Sequence, residues 1–252
     1  MISRPEDYAA LDKFNFEYKP VAVQFTIARP EGIKRIDKEL NMCEMLKEAQ
    51  DNDAFYVAPE DWVCVGIEQV IIGRQDPEPV LVSGIFGGEE GLFRTNSACR
   101  AMYDYIPTLA KGSVQYVIFS PLDQLSFAPD VLVITANIAQ ARILLRSINY
   151  STGKPIVSKY TPVIACSWIY VYPVVSGELN YFITGLGMGF QAMNVFPPGL
   201  FIISVPFQLI PIILKNVKEM EYSPKLDPGP GGPAHRKRVN QFKKDMIKKI
   251  EQ

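Results

Sequence analysis

The chain has 252 residues, 48% of them hydrophobic, and a formal net charge of −1. That is enough apolar material for one large core or two small ones, and too little net charge for a global attraction to nucleic acid or anionic lipid. The single histidine, His235, excludes zinc catalysis by two or three histidines within one chain, and it follows a Pro/Gly segment, away from any nucleophile it could activate.

Residues 1–10 contain Arg4, Glu6 and Asp7 and lead into no long apolar run, so no secretory leader is expected and the expected location is cytoplasmic. Residues 5–14 read as a short opening helix with Tyr8 and Leu11 on one face. Residues 21–27 read as a buried strand. Residues 38–50 look helical. Pro59 suits the first position of a helix, and 60–72 is expected to continue it, with acids in its first turn. Residues 80–83 read as a short strand, 84–91 as a glycine-rich loop, and 95–105 as a helix. Glu89 and Glu90 argue against phosphate in that loop.

The second half is more regular. Residues 114–120 and 131–135 are rich in β-branched side chains and read as strands. Residues 138–148 form a predicted helix with Ile138, Ala141, Leu145 and Ile148 on one face. The run 163–172 fits a strand or a buried helix equally. Strands are expected at 179–183 and 201–205, then a helix from Phe207 to about Met220. Residues 199–214 are apolar, but 16 residues fall short of the roughly 20 that span a bilayer, and Pro206 and Pro211 interrupt them, so an integral membrane protein is not expected. The segment 223–233 is a linker by composition. Residues 234–252 form a basic amphipathic helix with Val239, Phe242, Met246 and Ile250 on one stripe. That tail carries seven basic and two acidic groups against an acidic body, a pattern that favours docking on a protein surface. Peripheral membrane contact is a second reading, whereas nucleic acid fits poorly, since no aromatics interleave the lysines. The expected fold is α+β, with α/β as the alternative. It is a single domain over 1–222 with a mixed central sheet flanked by helices.

A series of short motifs runs through the chain: Lys19-Pro20-Val21-Ala22-Val23, Cys43, Cys64-x-Gly66, Phe119-Ser120-Pro121-Leu122, Pro129-Asp130-Val131, Gln140-Ala141, Tyr150 with Gly153, Ala165-Cys166, and Gly185, Gly187 and Gly189. In this order they resemble the DUF169 family of archaea and anaerobic bacteria, over about residues 15–220. The resemblance implies an anaerobic-type metabolic context and no particular reaction. Leu186, Met188, Phe190 and Gln191 depart from the cysteine and arginine often found near the last glycines.

Two features remain as chemistry. The four cysteines at 43, 64, 99 and 166 include no C-x-x-C pair. Reduced thiols packed as small hydrophobes are one reading. Cys43, Cys64 and Cys166 as ligands of an iron–sulfur cluster or soft metal ion are another. Cys64 is the candidate catalytic thiol, placed by the expected helix near its N-terminal dipole and opposed by Glu60 and Asp61. The second feature is a charge desert: from Tyr160 to Leu214 the only charged side chain is Glu178. Such a segment is hidden in a sheet core, in a homo-oligomer interface, or along an apolar ligand site. Trp168, Tyr170 and Tyr181, with Gly185, Gly187 and Gly189, are the candidates to line a site for a flat small molecule or cofactor. Glu178 is expected in a solvated turn. The expected function is cofactor, metal or cluster binding through cysteines beside an apolar aromatic pocket. The alternative is a non-catalytic small-molecule-binding or oligomeric assembly protein with structural cysteines.

Overall fold

The fold is described from a computed structural model, which covers residues 3–64, 67–220 and 233–250. Its strands are β1 (Val21–Thr26), β2 (Lys34–Arg35), β3 (Phe55–Val57), β4 (Tyr116–Pro121), β5 (Val131–Ala136), β6 (Asn180–Ile183) and β7 (Phe201–Pro206). They form one seven-stranded sheet in the order β2-β3-β4-β1-β5-β7-β6. Only β2 and β3 run parallel; the other neighbours are antiparallel. The mixed sheet with flanking helices makes this an α+β fold.

All six residues of β5 are buried, so the sheet centre is covered on both faces, as a continuous β-branched run requires. On one face Val131 and Val133 join Val21, Val23 and Phe119 in a core with helix α1 (Met42–Asp51). Helix α1 starts at Met42, later than the expected position 38, because a capping box at the N-cap Asn41 sets its start: the Asn41 backbone N–H donates to the Glu44 carboxylate at 2.9 Å. Deep in this layer the Gln50 amide donates to the Thr135 hydroxyl at 2.9 Å.

Short helices follow: α2 (Ile67–Ile71), α3 (Pro79–Val82), α4 (Ile85–Glu89) and α5 (Asn96–Tyr103). Two expectations fail here. The predicted strand 80–83 is helical, with Pro79 at its first position. The glycine-rich loop 84–91 folds around α4, entered through Gly84 at φ +80°. On the sheet's other face, α6 (Ile138–Thr152) packs on β5 and β7. It buries Ala141, Leu144 and Ser147, while Ile138 is 72% exposed, so its inner face is rotated from the predicted stripe.

The ambiguous run 163–172 is a buried helix from Ala165 onward. It contains a π-helical turn, Ser167–Val171, and continues as α7 (Tyr172–Ser176). Then come α8 (Met188–Ala192) and α9 (Ile210–Glu219), the latter after a 3₁₀ turn at Phe207–Leu209. The chain forms two compact units, 1–218 and 219–252. The second contains α10 (Pro233–Ile250), in which no residue is buried and Phe242 is 40% exposed. Of the expected linker 223–233, all but Pro233 lies outside the described residues. No helix among the described residues is long and apolar enough to cross a membrane.

Candidate functional site

The expected helix 60–72 does not form as one piece. Pro59–Asp61 is a single 3₁₀ turn, Trp62 bridges to Leu40, and α2 opens only at Ile67. Cys64 therefore precedes the helix, and a helix of five residues supplies little dipole to favour its thiolate.

What brings Cys64 into a site is Glu68. This carboxylate is 1% exposed. It accepts the backbone N–H groups of Met42, at the first turn of α1, and of Cys64. Its second oxygen, Oε2, has no hydrogen-bond partner among the described residues. Burial, the largest influence, raises its pKa to about 7, against the two N–H groups that lower it.

Around this carboxylate stand Cys43, Cys166 and Tyr170. Burial pushes the Cys43 thiol up to about 12, and the negative charge of Glu68 adds to it. Cys166 is likewise raised, first by burial of its sulfur and then by Glu68, Cys64 and Cys43. The fully buried Tyr170 donates its hydroxyl to the carbonyl of Met42 at 3.2 Å and packs edge-on against Phe119. Three cysteines widely separated in sequence thus come within electrostatic reach of one another and of one buried carboxylate. As they stand, no three His, Cys, Asp or Glu side chains among the described residues are arranged to hold a metal ion.

The backbone beside Cys166 is unusual. Ile164 has φ +60°, a left-handed conformation that a β-branched residue rarely adopts. Three residues on, at Ser167, the helix widens into its π-turn. Strain and π-turns of this kind gather at functional sites.

Cys64 and Ile164 both border an apolar cavity of about 370 Å³. Its aromatic wall is Phe86, Phe93 and Tyr103, and Cys99 is its second thiol. Among the described residues no charged side chain lines it. Gly87 lets α4 approach α5 closely, since a Cβ there would fall 2.6 Å from the Cys99 sulfur. Met188 and Phe86, at its wall, are 40% and 50% exposed, so the cavity opens through apolar side chains.

The residues expected to line a ligand site divide. Gly189 borders this cavity. Trp168 is buried, with its indole N–H on the Thr161 hydroxyl at 2.8 Å, and Tyr181 packs on Phe201. Gly185, at φ +96°, turns against Pro198, and Gly187 makes room for the Phe182 ring, which a Cβ would meet at 2.6 Å. Glu178 is exposed in its turn, as expected, and accepts the Tyr172 hydroxyl. Gly66 lies outside the described residues. Sequence reasoning missed Glu68, Cys99 and the three aromatics. Glu68 carried a signal: it lies three positions before the core residue Ile71, on the same helical face.

A relative from Methanocaldococcus jannaschii, named "Uncharacterized protein MJ0308", is 29% identical over 126 residues, covering 49% of this chain and 53% of the relative. The chain thus spans about half the length of the curated relative it matches. No solved structure matches it. The model of one family, described as "Uncharacterised ArCR", matches residues 11–216, and the chain belongs to that family, DUF169.

Proposed function

We propose that this protein binds an apolar small molecule or cofactor in the 370 Å³ cavity, with the Cys64 side chain as its reactive wall. One observation carries the reading: Cys64 belongs at once to the cavity and to the buried cluster of Cys43, Cys166 and Glu68. A ligand in the cavity therefore meets a sulfur whose surroundings respond to charge. An uncharged, aromatic-bearing wall selects a neutral ligand, because burying an unpaired charge there is costly. The test is calorimetric titration of the full chain, purified without oxygen, with 1-octanol. A saturable one-to-one complex that Phe86→Glu abolishes is expected. No saturable binding overturns the reading.

A second reading is supported by the cluster itself. Three thiols gather beside a carboxylate whose Oε2 has no hydrogen-bond partner among the described residues, where a soft cation would displace the thiol protons and offset the charge of the resulting thiolates. Cys43, Cys64 and Cys166 would then hold a soft metal ion or an iron–sulfur cluster, with Glu68 beside them, after their side chains turn to a common point. The visible spectrum and the iron, zinc and sulfide content of anaerobically purified protein test it. Bound metal lost in Cys43→Ser and Cys166→Ser is expected, and a colourless, metal-free protein that takes up no Co²⁺ or Zn²⁺ removes it. Self-association is a further part of the proposal, supported by exposed Val80, Ile85, Leu186 and Met193 on the segments that form the cavity. Sedimentation at micromolar concentration tests it, and a clean monomer contradicts it.

A further inference from the structure

Ile67 and Tyr103 each border two cavities. One is the apolar cavity; the other, of about 610 Å³, is also bordered by Gln75, Asp76, Thr108 and Lys111. The two spaces share a partition and differ in chemistry. The first is lined without charge among the described residues. The second gathers an amide, a carboxylate, a hydroxyl and an ammonium group. Its two charges cancel, because the Lys111 ammonium lies 2.6 Å from the Asp76 carboxylate.

The wall of this second cavity is tied to α2. The Leu109 N–H donates to the Ile71 carbonyl and the Gly112 N–H to the Gly73 carbonyl, both at 2.8 Å. Gly73 makes the approach feasible: at φ +73°, a Cβ would lie 2.3 Å from the Ala110 carbonyl oxygen. The loop that carries Thr108 and Lys111 is therefore held against the same helix that presents Ile67 to both spaces.

We infer that the two cavities are halves of one site for an uncharged amphiphile, its apolar part beside Cys64 and its hydroxyl-bearing head among Thr108, Asp76 and Lys111. This rests on the apolar-ligand reading above. A neutral head that both donates and accepts hydrogen bonds satisfies both members of the Lys111–Asp76 pair, whereas a charged head meets one of them as a like charge.

The test compares two probes with the same eight-carbon chain, 1-octanol and n-octyl-β-D-glucoside, the latter below its micelle concentration. With two hydrogen bonds gained by the head, the glucoside is expected to bind about tenfold tighter. Thr108→Val and Lys111→Ala should remove that gain and leave octanol binding unchanged. Equal affinity of the two probes, or a gain that survives both variants, overturns the two-part site while the apolar cavity stands. Failure of both probes to bind overturns the apolar-ligand reading, and this inference with it.

Discussion

The Glu68 carboxylate accepts a hydrogen bond from the backbone N–H of Met42, 26 residues earlier in the chain. This contact joins the first turn of α1 to α2 and sets Cys43 beside a buried negative charge. An N-terminal N–H of a helix needs an acceptor, and a carboxylate is a strong one. The contact therefore has both a structural and an electrostatic consequence.

The first prediction concerns pH. Glu68 has a folded pKa raised from 4.5 to about 7. A raised carboxylate pKa means the folded state holds its proton more tightly than the unfolded chain. The associated stability is complete below pH 4.5 and is lost as pH rises through 7, a change of about 3 kcal/mol at 1.36 kcal/mol per unit. Glu68→Gln removes this slope, since the amide does not ionise. Urea unfolding from pH 4.5 to 8 should show the wild type losing stability relative to the variant. Parallel curves would contradict the assignment.

Thiol reactivity gives a second prediction. Cys43 and Cys166 are held as neutral thiols at pH 8 by burial and by the charge of Glu68, and Cys99 is 2% exposed. Thiolate is the reactive form. In the native protein iodoacetamide should modify Cys64 at least about tenfold faster than these three, as followed by peptide mass spectrometry. Cys43 labelling at the Cys64 rate would show that the cluster is open.

A third prediction tests the strain at Ile164. Alanine and glycine both remove the side chain beyond Cβ, but only glycine, with no Cβ, accepts φ +60° without cost. Ile164→Gly should be more stable than Ile164→Ala by about 1 kcal/mol, the reverse of the order in a helix interior. Denaturant midpoints of the two variants decide it, and a more stable alanine variant would remove the strain.

Gly84 and Gly91 provide a paired comparison. Both have positive φ, but a Cβ on Gly84 would lie 2.1 Å from the Asn96 carbonyl, while one on Gly91 meets nothing within 4 Å. Gly84→Ala should cost over about 2 kcal/mol, and Gly91→Ala about 1 kcal/mol. Thermal unfolding of both checks this, and equal costs would contradict the close packing of α4 on α5.

Five of the seven strands were legible because their signals are local, whereas β2 and β3, of two and three residues, are too short to carry a pattern. Val131–Ala136 is a β-branched run, and the helix beginning at Thr95 announces itself by a hydroxyl that caps the Ala98 N–H at 3.1 Å. The region around Cys64 was not legible, because short helices interrupted by Pro59, Pro79 and Gly84 follow tertiary contacts and not periodicity. The charge desert is buried around residues 165–173 and 200–206, but Tyr160, Leu186 and Met193 are exposed, and the cavity takes its rings from residues 86, 93 and 103. The convergence of Cys43, Cys64 and Cys166 had support only from the family motifs. Glu68, which organises them, became visible only when α1 and α2 were placed together.

The most direct measurement follows Cys64 alkylation during titration with 1-octanol. Occupancy of the cavity should slow modification at least about tenfold at saturation, with half-protection at the dissociation constant found by calorimetry, and Phe86→Glu should abolish the protection. A Cys64 rate that stays constant while octanol saturates the protein would place the ligand elsewhere and contradict the account.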